Sequence, residues 1–132
     1  MQDVVVIGAG TMGLVNAQVA KAFGARVIVS DISQKKIKRA QEMGVDVVDA
    51  KNNDPVEAVK DLTNGKGADI VIAAVGSSIA YKQGYDMLSQ YRGKLLIFPA
   101  GYPKPELQVD PNELHYRKLE IIGSFVANLN DW

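Results

Sequence analysis

The stretch VVVIGAGTMG, residues 4–13, runs from four branched apolar residues into three glycines, Gly8, Gly10 and Gly13. A continuous Val and Ile run of this length reads as a strand covered on both faces. The residues that follow, from Thr11 to Phe23, place Met12, Val15, Val19 and Phe23 at spacings of three and four. That period predicts a helix with an apolar face on those residues, ended by Gly24. The opening of the chain is therefore strand, glycine turn, helix.

The same rhythm continues outward from this unit. Strands are expected at Val4 to Ile7, Arg26 to Ser30, Val45 to Val48, Asp69 to Ala74, Lys94 to Phe98 and Leu119 to Ile122. Helices fall between them. Ser33 can cap a second helix carrying Ile37, Ala40 and Met43 and stopped at Gly44. Asp54-Pro55-Val56-Glu57 is the sharpest helix start, with a capping Asp, Pro at the first helical position and Glu three residues after the cap. A fourth helix, from about Ser78 to Gln90, shows Tyr81, Tyr85 and Leu88 on one face, and Pro111 to Tyr116 is at most a short helix. Strands that alternate with helices join in parallel through right-handed crossovers. The expected fold class is α/β: a doubly wound, six-stranded parallel sheet of order 3-2-1-4-5-6 with helices on both faces, the Rossmann fold.

Composition narrows the partners. The 132 residues fit one domain, 1–132, with no Pro/Ser-rich linker or low-complexity tract to divide it. Fifteen basic and fifteen acidic residues leave no net charge to draw the chain to nucleic acid or an anionic membrane. The apolar runs are far shorter than the roughly 20 residues a spanning helix needs. No export signal opens the sequence, so the cytoplasm is the default expectation. Without cysteine, disulfides and thiolate metal sites are excluded. A small-molecule partner remains.

The glycine spacing says which kind. After strand one, Gly8 permits a tight turn, Gly10 lets the backbone approach a pyrophosphate, and Gly13 lets the helix pack close to the strand. The helix then turns its free N–H groups and positive dipole end toward the phosphates. A GxGxxG match alone is weak. Here it follows a strand, opens a helix, and is succeeded by Asp31 at the end of strand two, eighteen residues beyond Gly13. The Asp31 carboxylate can accept the adenosine ribose hydroxyls, whereas the extra phosphate of NADP would set like charges together. At about 4 Å such a pair repels by roughly 4 kcal/mol at an effective dielectric near 20. NAD is the expected cofactor. The basic run KKIKR, Lys35 to Arg39, reads either as a solvated helix face or as a group that could swing toward a 2′-phosphate.

Two family resemblances share the opening stretch. IGAGTMG with the later SDIS resembles the start of 3-hydroxyacyl-CoA dehydrogenases. The remainder, AQEMGVDVVDAKNNDPVEAVKDLTNGKGADIVIAAVGS, then GKLLIFPAGYP, then NELHYRKLEIIGSF, resembles the coenzyme domain of medium-chain dehydrogenase/reductases, specifically the zinc-dependent alcohol, polyol and threonine dehydrogenase branch. This second resemblance covers essentially the whole chain in order. It implies that Gly8, Gly10, Thr11, Met12 and Gly13 hold the pyrophosphate, with Met12 beside the nicotinamide. Asp31 and Lys36 would approach the adenosine ribose, Ile32 would flank adenine, and Ala74 and Val75 would border the adenosine side. Phe98, Pro99, Ala100, Gly123, Ser124 and Phe125 would lie near the nicotinamide. Several relatives carry glycine where Pro99 stands, and proline removes an N–H there.

In that branch a zinc ion polarises the substrate oxygen while NAD accepts hydride. Its ligands, usually Cys, His and Glu or a second Cys, belong mainly to a separate catalytic domain that this sequence does not contain. The expectation is a coenzyme-binding domain excised from a longer dehydrogenase, binding NAD(H) but inactive alone. No catalytic or metal residue is assigned. His115, with Glu113 and Tyr116 nearby, reads as a surface or hinge histidine, because catalytic zinc needs several converging ligands. Tyr81 and Tyr85 read as core or interface side chains, and Asp110 and Glu113 as the start of the short helix. A freestanding dinucleotide-sensing module and a 3-hydroxyacyl-CoA dehydrogenase-like fragment are the alternatives; the second would need an all-helical substrate domain that is missing. Relatives also dimerise through a short strand at the position of Leu107-Gln108-Val109, which implies a homodimer; a plain connection is the other reading of that segment.

Overall fold

The computed structural model describes residues 1–123, with Ser124 to Trp132 outside the described residues. The chain runs β1 (Asp3–Ile7), α1 (Thr11–Ala22), β2 (Arg26–Asp31), α2 (Gln34–Glu42), β3 (Asp46–Asp49), α3 (Pro55–Leu62), β4 (Ile70–Ala73), α4 (Ser78–Met87), β5 (Lys94–Ile97), α5 (Pro111–Arg117) and β6 (Glu120–Gly123). All strands are parallel, in the order β3-β2-β1-β4-β5-β6. This is the doubly wound topology expected from the sequence. Strand ends differ from the expected ones by a residue, and α4 stops at Met87 rather than near Gln90.

Strands β1 to β5 each feed two cores, and β6 feeds one through Ile121. In β1, Val5 and Ile7 face a cluster with Val59 of α3 and Tyr81, Tyr85 and Met87 of α4. Val4 and Val6 face the other side, where Ala17 of α1 and Ala40 of α2 pack. Burial on both faces is the reason the strands read as unbroken Val and Ile. Capping fixes the helix starts: the side chains of Ser33, Asp54, Ser77 and Asp110 accept N–H bonds at the starts of α2, α3, α4 and α5. Gly24 and Gly44, both at positive φ, end α1 and α2 as expected.

The apolar stripe expected on α1 is corrected by the structure. Met12, Val15 and Phe23 are exposed, Phe23 by 80%, while the buried residues of the helix are Gly13, Asn16 and Ala17. The physical reason is distance. A Cβ on Gly13 would lie 1.8 Å from the Gly8 carbonyl oxygen and 2.9 Å from its carbon. A helix this close to the sheet must face it with small side chains, so the bulky apolar residues are displaced to the flank. There Val19 and Phe23 border a recess of about 630 Å³ against Ile70, Ile72, Leu96 and Ile122.

The two edges of the sheet are chemically unlike. At the N-terminal edge, ion pairs join Lys66 to Asp3 and Asp69 at 3.0 and 3.2 Å and Arg26 to Asp46 at 3.0 Å. Hydrogen bonds to Asp3, then Asp69, hold the Lys66 ammonium above its usual range. The C-terminal edge, described below, carries turns and open backbone. On the far side of the sheet, the buried Tyr85 hydroxyl donates to Glu113 Oε1 at 2.7 Å, and Arg117 pairs with the same oxygen at 3.2 Å. Burial first, and this bond to Glu113 second, push the Tyr85 phenol up to about 12.

Two outcomes follow from this packing. Gly13→Ala must separate α1 from β1 and should cost about 3 kcal/mol, whereas Gly10→Ala, whose Cβ meets nothing within 4 Å, should change stability by less than about 1 kcal/mol; urea unfolding of both variants checks the contrast. Because the folded phenol of Tyr85 holds its proton more tightly than the unfolded one, near 10, its contribution is complete below about pH 10 and is lost as pH rises toward 12. The stability difference between wild type and Tyr85→Phe should therefore be constant at neutral pH and change between pH 10 and 12.

Candidate functional site

Sheet register decides which residues can meet. Ser30 pairs with Ile7, Ile7 with Ala73, Ala73 with Ile97, and Ile97 with Gly123. These five residues form one row across β2, β1, β4, β5 and β6. The residues just beyond that row are Asp31 and Ile32, Gly8 to Gly13, Ala74 and Val75, and Phe98 to Ala100. The structure thus brings the sequence-predicted positions to a single edge, beyond the C-terminal ends of the strands. Strand order reverses at β1, so the edge contains the switch point at which such sheets open a crevice. Ser124 and Phe125 lie outside the described residues.

The glycine turn sits at the centre of this edge. Gly8, at φ 103°, adopts a conformation that other residues rarely enter, and its N–H continues the ladder to the Ser30 carbonyl at 2.8 Å. A Cβ there would also meet Val75 Cγ1 at 2.8 Å. Gly10 caps α1 with backbone alone: its carbonyl accepts from Leu14 at 2.9 Å, but no side chain bonds to the first-turn N–H groups. Among the five described helices, α1 is the one without a side-chain cap. Thr11 and Met12 are exposed, Gly10 is half-buried and Gly13 is buried. The result is an open helix start of positive polarity with room beside it, which suits an anionic oxygen-rich group.

Flanking groups add one carboxylate and two apolar side chains to the edge. Asp31, half-buried, accepts the Ala9 N–H at 2.7 Å on one carboxylate oxygen and the Ser33 N–H at 2.8 Å on the other. Each oxygen keeps a lone pair. Ile32 and Val75 are 68% and 41% exposed on either side of the turn, which is unusual for apolar residues at this edge and leaves two apolar faces for a flat ring. Lys36 and its neighbours Lys35, Lys38 and Arg39 are all exposed along α2, the solvated face that was one of the two readings of KKIKR.

On the β4 and β5 side, two residues escaped the sequence reading. Gly76 and Gly101 cross backbone to backbone: a Cβ on Gly76 would lie 2.5 Å from the Ala100 oxygen, and one on Gly101 would lie 2.4 Å from the Gly76 oxygen. Their signal was present as glycine directly after Val75 and Ala100, but the partner of each is a distant loop. Tyr81, buried on α4, donates its hydroxyl to the Pro99 carbonyl at 3.1 Å, and burial raises its pKa. The turn that lacks a proline N–H is thereby tied down through its oxygen. Ser78 Oγ accepts the Glu106 N–H at 2.8 Å and holds the following loop.

His115 lies away from this edge, exposed on α5 with its ring edge-on to Tyr116 at 4.9 Å between centroids. Glu113 turns instead to Tyr85 and Arg117. Among the described residues no three His, Asp or Glu side chains converge as a metal site requires, and no helix is long and apolar enough to cross a membrane. Leu107 and Val109 pack partly against the core while Gln108 is exposed. This alternation is strand-like, yet the segment joins no sheet among the described residues.

Fold and edge together define a Rossmann-type α/β domain. The chain belongs to the zinc-binding dehydrogenase family, whose profile matches residues 11–132. It is 38% identical to the sorbitol dehydrogenase of Halalkalibacterium halodurans over 98% of this chain and 38% of that enzyme. Among solved structures it resembles the alcohol dehydrogenase of Aeropyrum pernix, with a TM-score of 0.88 and 30% identity over 98% of this chain and 37% of that one. A zinc-binding dehydrogenase from Sinorhizobium meliloti, bound to NADP, superposes with a TM-score of 0.85 at 29% identity over 94% of this chain and 37% of that one. The chain therefore spans little more than a third of the relatives it matches.

Proposed function

We propose that this chain binds NAD(H) as the coenzyme domain of a zinc-type alcohol or polyol dehydrogenase. It holds the dinucleotide for hydride transfer while metal and substrate groups come from another part of the enzyme. The observation that carries this reading is the uncapped start of α1, set over the Gly8–Gly10 turn at the switch point of the sheet. The pyrophosphate takes the N–H groups of the first turn, helped by the absence of any acidic residue there. Adenine lies between Ile32 and Val75, and the remaining lone pairs of Asp31 accept the ribose hydroxyls, with Lys36 one helical turn away. Met12, Phe98, Pro99, Ala100 and Gly123 border the nicotinamide half, continued by Ser124 and Phe125. When bound, the cofactor supplies the hydride acceptor.

The preference for NAD over NADP follows from Asp31. A 2′-phosphate would enter beside its carboxylate, and the exposed cations of α2 are screened by solvent. The NADP-bound relative is the comparison that makes this preference worth measuring. Isothermal titration of the chain with NADH and with NADPH should give saturable binding with NADH at least about tenfold tighter, a difference of about 1.4 kcal/mol. Absence of binding, or tighter NADPH, would overturn the assignment.

The same reading includes a homodimer. Leu107, Gln108 and Val109 alternate in exposure and show no backbone hydrogen bond among the described residues, and unpaired backbone of this kind recruits a second strand. Sedimentation velocity at high concentration should show a dimer that Gln108→Pro weakens; a monodisperse monomer would refute it.

A further inference from the structure

Asp31 has both carboxylate oxygens in use with no ligand present. Oδ2 accepts the Ala9 N–H at 2.7 Å and Oδ1 the Ser33 N–H at 2.8 Å. Ala9 is the middle residue of the glycine turn and is 1% exposed, so no water can replace that bond without moving the turn. The last ladder bond of β1 is Gly8 N–H to Ser30. Beyond it, among the described residues, the Ala9–Asp31 bond is the one hydrogen bond that ties the turn to a neighbouring strand before α1 begins.

Two backbone N–H groups favour the carboxylate here, but it works against an anionic ligand. A fixed negative charge one hydrogen bond from the turn opposes the diphosphate that the turn is proposed to hold. The bond to Ala9 gives the charge a second task. It fixes the plane of the Ala9 peptide, and with it the direction of Gly10 and of the free N–H groups that open α1.

We propose that Asp31 is a positioning residue for the glycine turn, aligning it for a diphosphate, in addition to receiving the ribose hydroxyls of a dinucleotide. This deepens the NAD(H) reading and rests on it for the identity of the ligand. Its particular consequence is that Asp31 governs affinity even for a diphosphate ligand that has no ribose hydroxyls. The sign of that effect separates positioning from charge. Removal of a carboxylate that acts only as a charge tightens diphosphate binding; removal of one that orients the turn weakens it.

The probe is 2′,3′-dideoxyadenosine diphosphate, titrated into wild type, Asp31→Asn, Asp31→Ala and Asp31→Ser. Asn removes the charge and keeps one acceptor oxygen, which serves Ala9 when its NH2 turns toward the Ser33 side; Ala removes the acceptor and the shorter Ser side chain withdraws it from Ala9, and the two together guard against a variant that folds poorly. The expected result is affinity at least equal to wild type in Asp31→Asn and about tenfold weaker in Asp31→Ala and Asp31→Ser, the effect of one lost charge-assisted hydrogen bond. In the ligand-free proteins, amide exchange followed by NMR should show Ala9 protected in wild type and Asp31→Asn, and at least about tenfold faster in Asp31→Ala. Equal or tighter binding of the dideoxy ligand by Asp31→Ala, or an unchanged Ala9 exchange rate, would overturn the proposal. If wild type binds neither this probe nor NADH, the dinucleotide reading falls, and the Ala9 exchange rates still decide whether Asp31 positions the turn.

Discussion

Helix α1 can lie where it does only because Gly13 presents no side chain to the Gly8 carbonyl. With a would-be Cβ at 1.8 Å from that oxygen, the contact allows no other residue without separating helix from sheet. Much of the molecule follows from this approach. It selects Asn16 and Ala17 as the next inward residues, turns the bulky side chains of α1 outward, and aims the start of the helix across the end of β1. A helix held further away would have room for a conventional apolar face, and its N-terminus would no longer overhang the strand end.

The C-terminal edge is then built from loops that constrain each other. Gly8 touches Val75, Gly76 crosses Ala100 and Gly101, Tyr81 holds Pro99, and Asp31 holds Ala9. These contacts join neighbouring elements into a seam in which Gly8, Gly76 and Gly101 leave no room for a Cβ, while Gly10 stays open. Such a seam is rigid where it must be shaped and polar where it is open. At the opposite edge, ion pairs join the half-exposed Lys66 to the buried Asp3 and to the partly exposed Asp69.

Much of this was legible in the sequence, and the failures have a common cause. The strand order, the caps at Ser33, Asp54 and Asp110, and the stops at Gly24 and Gly44 are encoded within a few residues, so local pattern finds them. The face of α1 was misread because apolar periodicity measures hydrophobicity and says nothing about how near the sheet comes. Met12, Val15 and Phe23 satisfy the period and are nonetheless exposed; Gly13 and Ala17, weak signals on any hydrophobic scale, are the inward residues. Gly76 and Gly101 escaped for a different reason. Their requirement for glycine arises from a loop about 25 residues away in the chain, and a non-local contact of this kind leaves no periodic trace. Asp31 was found by its spacing from the glycines, but its bond to Ala9 depends on side-chain direction and was invisible until the fold placed the two together.

The two halves of the proposed cofactor site differ in how they are supported. The adenosine half draws on β1, β2 and β4, whose turns are braced by the Gly8–Val75 contact and by the Asp31 bonds, all within the central strands of the sheet. The nicotinamide half draws on β5 and on β6, the last strand of the order, where Gly123 is exposed and Ile122 stands 40% exposed over the recess beside Phe23. A preorganised adenosine half binds without paying for its own ordering, and that is where affinity should reside. On the proposed reading the nicotinamide ring lies toward β5 and β6, the last strand of the order. Separation of this kind lets one polypeptide unit supply cofactor affinity while the chemistry is decided elsewhere.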